Sequence, residues 1–345
     1  FPYCTDDKIH DGCETTGPKT VLLATRDGKT SLWQPFATGP FVYDLERHLY
    51  KNVPGNKLVF EEVNHDLGLA FAYTWTTGNR FGFVRRSQLL NTGASEVRVE
   101  LLDGLRNLLP YGVDRAAQAE LSTLVDAYKQ AETVSGACAG IYTLSSILTD
   151  RAEPSEALKA TLVWSTGLEQ ARVLLSEDQV HAFCVGEPVQ SEAFSKGKRG
   201  AFFVNAVLTV PPQANRAWYL LADVEQGPSQ TVNLLHAIRQ GVTASTIEQD
   251  VAAGPARMEL LAGSADGFQK SADELVTSRH FFNPLFNIMR GGVFPYGYRF
   301  PCDDFLFFAG ERNLSLRETV ESAVGRLEGP LTLDSALKLA DESHN

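Results

Sequence analysis

The stretch Leu67–Leu90, LGLAFAYTWTTGNRFGFVRRSQLL, decides the fold class. Leu67, Leu69, Phe71, Tyr73 and Trp75 alternate with small or polar residues, the period of a strand with one buried face. Thr77-Gly78-Asn79 is a turn signal, and Phe81–Leu90 reads as the return strand of a hairpin. On the N-terminal side, Thr20–Thr25 is a β-rich run ending in the turn Arg26-Asp27-Gly28, and Lys57–Val63 is a second strand. On the C-terminal side, past Asn91-Thr92-Gly93, Val97–Leu102 sets Val97, Val99 and Leu101 on one face and Arg98 and Glu100 on the other.

The period changes at Ala116–Glu132. There Leu121, Leu124, Val125 and Tyr128 take helical spacing after a candidate N-cap, Asp114. Strands resume at Tyr142–Leu148, Leu158–Trp164, Val180–Cys184, Ala201–Val210 and Arg216–Ala222, with Pro211-Pro212 breaking the last two. From about Ser229 the spacing is helical. Val232, Leu235 and Ile238 open one helix, and Thr243–Leu261 and Phe268–Arg290 follow, the latter stopped by Gly291-Gly292. Leu314–Leu327 and Ser335–Ala340 are two further short helices. The expectation is a mainly β protein. A β-rich part with one inserted helix, of a length that an all-β sandwich or barrel can fill as one domain, occupies residues 1–225, and a helical region occupies residues 226–345.

Composition limits the partners. The chain has 345 residues, 43% hydrophobic and 21% charged, an ordinary globular balance. Its net charge of -11 disfavours nucleic acid and anionic membrane surfaces and says little about neutral ligands such as sugars. The five Cys (4, 13, 138, 184 and 302) form no C-x-x-C pair and no zinc spacing, so reduced thiols in a cytoplasmic protein are expected. No apolar run reaches the ~18 residues of a membrane span, and no signal peptide is visible. Residue 1 is Phe rather than Met, which suggests a processed product or a piece of a longer protein.

Motifs for nucleotide, serine-hydrolase or zinc chemistry are absent from the sequence, and no two His stand at i, i+3 or i+4. Lys196–Gly200 could hold a phosphate by charge, but a basic loop between strands is the simpler reading. Glu61 and Glu62 are adjacent on a strand and so cannot line one groove; each acidic pair is expected on the solvated surface. His65-Asp66 reads as a turn cap, or as a general acid with an orienting partner. Three clusters are dense in polar groups: Lys8–Pro18, Arg80–Arg86 around Phe81 and Phe83, and Arg279–Gly292. The last is an apolar helix with Asn283 and Asn287 on one face.

Four stretches carry a family resemblance: Lys8–Pro18 with Leu32–Phe36; Phe60–Asp66 leading into Phe71; Arg80–Leu90 with Val97–Pro110; and Arg279–Gly292 continuing to Asp304-Phe305. In that order they resemble the N-terminal region of cellobiose phosphorylase-like proteins related to glycoside hydrolase family 94. The resemblance implies a mainly β fold, a large antiparallel β-sandwich of the galactose-mutarotase-like kind (a supersandwich), then a helical linker, then an (α/α)6 barrel. The acid and the phosphate-binding residues would lie in that barrel, so no catalytic residue is carried over to this chain. It implies no cofactor, with inorganic phosphate as a co-substrate of the full enzyme. The partners it implies are the barrel, an oligo- or polysaccharide and a second copy in a homodimer.

Three functions are expected in decreasing order. The first is a non-catalytic sandwich and linker that packs against the barrel, supports dimerisation and lends loops to the active-site rim. The second is a glycan-binding module with Trp33, Trp75, Trp164 and Trp218 as stacking platforms. The third is an aldose epimerase-like enzyme, for which His65, His181 and Glu62 are the candidate acid and base. Trp33, Trp75, Asn287 and Arg290 are the expected substrate-binding residues, and no metal site is expected.

Overall fold

The computed structural model describes residues 12–39, 42–52, 55–148, 157–266, 270–291, 296–312, 318, 320–322, 324 and 329–342. It divides into two compact units, Phe1–Ala252 and Ala253–Asn345.

In the first unit the elements run β1 (Gly17–Arg26), β2 (Lys29–Trp33), β3 (Leu45–Lys51), β4 (Leu58–Asn64), β5 (Leu69–Gly78), β6 (Gly82–Asn91) and β7 (Val97–Leu108). Two short helices follow, α1 (Arg115–Glu120) and α2 (Ser122–Tyr128), then β8 (Lys129–Thr133), β9 (Ala139–Leu144), β10 (Ala160–Thr166) and β11 (Arg172–Leu174). Next come α3 (Val180–Cys184), β12 (Phe194–Lys196), β13 (Gly200–Val210) and β14 (Asn215–Gln226), and after them α4 (Pro228–Gln240) and α5 (Ala244–Asp266). The strands form a five-stranded sheet, β11-β13-β7-β1-β2, and a nine-stranded sheet, β12-β8-β9-β10-β14-β6-β5-β4-β3. Every pairing in both is antiparallel.

Alternation explains the packing. Leu22, Ala24, Trp33, Val97, Val99 and Leu101 of the small sheet meet Leu69, Phe71, Tyr73, Leu89 and Trp218 of the large one. A second cluster, with Phe202 and Val204 against Tyr142, Val163 and Leu220, continues the same interface. The sheets therefore close as a sandwich over interdigitated inner faces. The β1–β2 turn needs left-handed backbone at Asp27 (φ 52°) and Gly28 (φ 76°), which an Asp-Gly pair supplies. Gly104 on β7 has no such φ. It is required because a Cβ there would lie 2.1 Å from the Phe202 carbonyl oxygen.

Helices cover parts of the outer faces. Phe183 of α3 packs with Val21, Leu102, Leu174 and Phe203 on the outside of the small sheet. Leu234, Leu235 and Ile238 of α4 and Ile247 and Val251 of α5 pack on Val84, Trp164, Tyr219 and Leu221 of the large sheet. The sandwich strands end at Gln226, and the compact unit continues to Ala252, with these helices part of its packing.

Several expectations are corrected here. Val180–Cys184 is a helix, not a strand: its β-branched and aromatic residues meet the small sheet at helical spacing, through Val180, Phe183 and Cys184. Ala116–Glu132 is not one helix. The chain breaks at Leu121 (φ -123°), and Lys129–Thr133 leaves helical geometry to pair with β9 and β12. The Asp114 cap holds, its Oδ1 accepting from the Ala117 amide at 2.7 Å. Strand β3 lacks a sequence signal, since Glu46, Arg47 and His48 interrupt its apolar residues.

The second unit contains residues 253–266 of α5, then α6 (Glu274–Met289), β15 (Arg299–Phe300), α7 (Cys302–Arg312), β16 (Leu331–Thr332) and α8 (Leu333–Glu342). Asp273 caps α6 by accepting from the Leu275 and Val276 amides, and Gly291 (φ 73°) follows its end. Strands β15 and β16 form a two-stranded ribbon. Helix α7 was not expected. Much of the expected helix at 314–327 lies outside the described residues, as do residues 8–11 of the Lys8–Pro18 cluster.

Candidate functional site

Three polar centres occupy the first unit. One lies between the sheets. Asp103 of β7 accepts from Thr20 Oγ1 at 2.6 Å, Arg85 Nη1 at 2.8 Å, Ser87 Oγ at 2.9 Å and Trp218 Nε1 at 2.7 Å. Both charged side chains are fully buried. The Arg85 guanidinium also lies 4.5 Å from the centre of the Tyr73 ring, and burial pushes the Tyr73 phenol above its ordinary range despite that cation. Four donors on one carboxylate repay much of its desolvation, so this closed centre is structural.

The second centre surrounds Glu62. Its carboxylate accepts from Trp33 Nε1 at 2.8 Å, the Phe36 amide at 2.9 Å and Arg47 Nε at 2.6 Å. The expected solvated surface role is corrected for Glu62: its side chain is fully buried. Glu62 faces the sandwich interior because its strand-mate Phe60 does.

The third centre is open. Cross-strand registers align His48 with Glu61, Glu61 with Ala72, Ala72 with Gln88 and Gln88 with Ala217, a row over four strand pairings. Arg47 points inward to Glu62, so its neighbours Glu46, His48 and Tyr50 are on the outer face of the large sheet. Glu46 is 3.2 Å from His48 Nε2 and 3.5 Å from His65 Nε2, and Tyr50 donates to Glu61 at 3.2 Å. Further along the same face, Tyr219 donates to Glu248 of α5 at 2.6 Å, and Arg86 Nε is 3.7 Å from Glu248. Burial, then the Glu248 contact, raises the Tyr219 phenol. Half-exposed imidazoles and carboxylates beside an alanine floor can donate to and accept from the hydroxyls of a flat ring. Among the described residues, no group of three or more His, Cys, Asp or Glu is arranged to hold a metal ion.

The expected residues are scattered relative to this centre. Trp33, Trp164 and Trp218 are at most 1% exposed, so their rings form core rather than platforms. Trp75 is half-buried and packs on both inner clusters. Of the acid–base candidates, Glu62 faces inward, His181 is on α3 outside the small sheet, and only His65 reaches the open face. In the second unit Asn287 is half-buried, and the Arg290 guanidinium lies 5.0 Å from the centre of the Phe286 ring. Lys196–Gly200 is the basic loop expected, with Lys198 Nζ paired to Asp178 at 2.5 Å. His48 and Glu46 went unnoticed because β3 did; only the register of an unrecognised strand brings His48 to Glu61, with Glu46 beside His48.

The chain has relatives in shape only. No protein-family model matches it, and no curated protein does. Solved structures do. One is a bacterial glucoamylase complexed with acarbose, 9% identical, with 76% of this chain and 34% of that one covered at a TM-score of 0.45. Another is a human-microbiome protein assigned as a kojibiose phosphorylase, 8% identical, with coverages of 76% and 31% and a TM-score of 0.41. A galactose mutarotase-like protein from Clostridium acetobutylicum is 7% identical, with coverages of 65% and 83% and a TM-score of 0.28. The chain thus spans about a third of the length of the first two. No helix among the described residues is long and apolar enough to cross a membrane.

Proposed function

We propose that this chain is the non-catalytic sandwich and linker of a cytoplasmic carbohydrate-active enzyme. Glycosidic bonds of an oligo- or polysaccharide would be cleaved by phosphorolysis or hydrolysis in a downstream (α/α)6 barrel, with inorganic phosphate as co-substrate in the first case. The chain would pack against that barrel, support a homodimer and shape the rim of the active site. One observation carries the reading. Leu275, Phe282, Phe286 and Met289 fall seven, four and three residues apart on α6, so they share one face, and they are 67%, 39%, 40% and 83% exposed. Phe307 and Phe308 of α7 are 64% and 53% exposed. Such a stripe fits a surface made to be covered.

The test is the size of the native product, blotted from its source with an antibody to this chain. A band far above 37.8 kDa is expected. A band at 37.8 kDa would overturn the reading.

The His48–Glu61 alignment favours a second reading, an aldose epimerase-like activity, because it sets an imidazole beside a carboxylate on an open face. That activity would interconvert glucose anomers faster than buffer does and would be lost in His48→Ala. Anomer interconversion no faster than buffer would exclude it.

A further inference from the structure

The second unit contains a cleft of about 530 Å³ whose lining includes Tyr296, Arg299, Phe300, Cys302, Asp303 and Pro330. We propose that this cleft binds a neutral saccharide. The inference rests on the carbohydrate-active reading above and names a place where sugar would be held.

The volume is within the ~300–1,000 Å³ typical of small-molecule sites. The walls are stiff. The β15–β16 ribbon pairs Arg299 with Thr332 and Phe300 with Leu331, and the thiol of Cys302 donates to the carbonyl of Gly329, which also lines the cleft, at 3.2 Å. Prolines 301 and 330 of the lining fix their own backbone φ and add rigidity. Phe300 packs at 5.9 Å on Phe305, which fixes its ring while leaving it half-exposed.

Backbone strain marks the same wall. Tyr296, Gly297 and Tyr298 have φ of 60°, 62° and 61°, a left-handed run that bulky residues avoid. The Tyr296 amide is tied to the Ser264 carbonyl at 3.3 Å, and the Tyr296 side chain stays 46% exposed at the cleft. A strained backbone that presents an aromatic ring to an open cleft is a feature that packing alone does not call for.

The chemistry selects the ligand class. Tyr296 and Phe300 offer apolar ring surface for the C–H face of a pyranose. Arg299 supplies donors and Asp303 supplies acceptors, suited to neighbouring hydroxyls. Their charges are equal and opposite, so the lining favours a neutral polyol over an anion or a cation. An acyl chain would leave both charged groups desolvated without partners.

The experiment uses the intact chain. Cellohexaose and maltohexaose are the neutral probes and a hexauronate the charged one, read by saturation-transfer NMR and calorimetry. At least one neutral probe should bind, and Arg299→Gln and Asp303→Asn should each weaken it about tenfold, the loss of one charge-assisted hydrogen bond. Tyr296→Phe should bind normally and Tyr296→Ala should not. Arg299 and Asp303 are exposed, so Arg299→Gln and Asp303→Asn are expected to fold, and a failure to fold in Tyr296→Ala leaves the test intact. Three results would overturn the proposal: no neutral probe bound, unchanged affinity in Arg299→Gln and Asp303→Asn, or preference for the uronate. Binding lost in His48→Ala but kept in Arg299→Gln would move the ligand to the sheet face and overturn it as well. The native product's size is read separately, so a heavy product with an empty cleft would sink this inference and leave the broader reading standing.

Discussion

Asp103→Asn is the most informative single change in the sandwich. The substitution keeps the side-chain volume and removes one charge. The new amide must turn its NH2 toward donors, because Thr20, Ser87, Arg85 and Trp218 all donate to this carboxylate. One buried N–H or O–H is then left facing another donor, and the Arg85 guanidinium, 0% exposed, loses its counter-charge. Breaking a buried pair from one side costs about 3–5 kcal/mol. For a unit of this size that is roughly 6–20 °C in Tm. All four Trp (33, 75, 164 and 218) lie in the first unit, so fluorescence-detected urea unfolding reports on it alone. Arg85→Met added to Asp103→Asn should recover about 2 kcal/mol or more, since the orphaned cation is gone. A cost below about 1 kcal/mol for Asp103→Asn, or simple additivity in the double variant, would refute a closed, dry network.

Three other outcomes follow from local geometry. Asp250 accepts from the Asn79 and Arg80 amides at 3.2 and 3.0 Å, and a Cβ on Gly78 would lie 2.1 Å from its Oδ2. Gly78→Ala should displace that carboxylate, cost about 1–2 kcal/mol and speed hydrogen exchange at both amides; unchanged exchange would count against it. Cys13 is exposed, whereas burial pushes the Cys138 thiol up to about 11, so maleimide at pH 8 should label Cys138 roughly a hundredfold more slowly, as read by peptide mass. Burial also raises the Asp223 carboxyl, so the folded state holds that proton more tightly than the unfolded chain. Its stabilising contribution is present below the ordinary Asp range and disappears as pH rises through the raised value. Asp223→Asn should therefore be neutral near pH 3 and raise Tm at pH 7; a lower Tm at pH 7 would contradict this.

Local pattern carried much of the fold. The β5–β6 hairpin, the two faces of β7, the Asp114 cap and the glycine after α6 all depend on neighbours within a few residues. Val180–Cys184 misled because a five-residue run with four apolar side chains suits a strand or a helix, and only the facing sheet decides between them. The polar centres were less legible. Asp103 draws donors from residues 20, 85, 87 and 218, a convergence that no local window contains. Arg85 and Ser87 do share the inward parity of Leu89, and polar residues on an apolar face were the available hint. Glu62 was misplaced on the surface for the same reason: its partners lie on β2, β3 and the loop at Phe36.

The position of β14 has a consequence for synthesis. It is the last strand of the sandwich in the chain, yet it sits between β10 and β6 near the middle of the large sheet. While the chain is being made, β6 and β10 each present an open edge until residues 215–226 leave the ribosome. At roughly 5–20 residues per second that interval is on the order of ten seconds. A nascent chain stalled before Gln226 would be two unsealed half-sheets rather than a sandwich lacking one edge, and both would be open to pairing with other chains. Trp218 arrives on that same strand and supplies the last donor to Asp103, so the sealing of the sheet and the completion of its buried charge centre are one event.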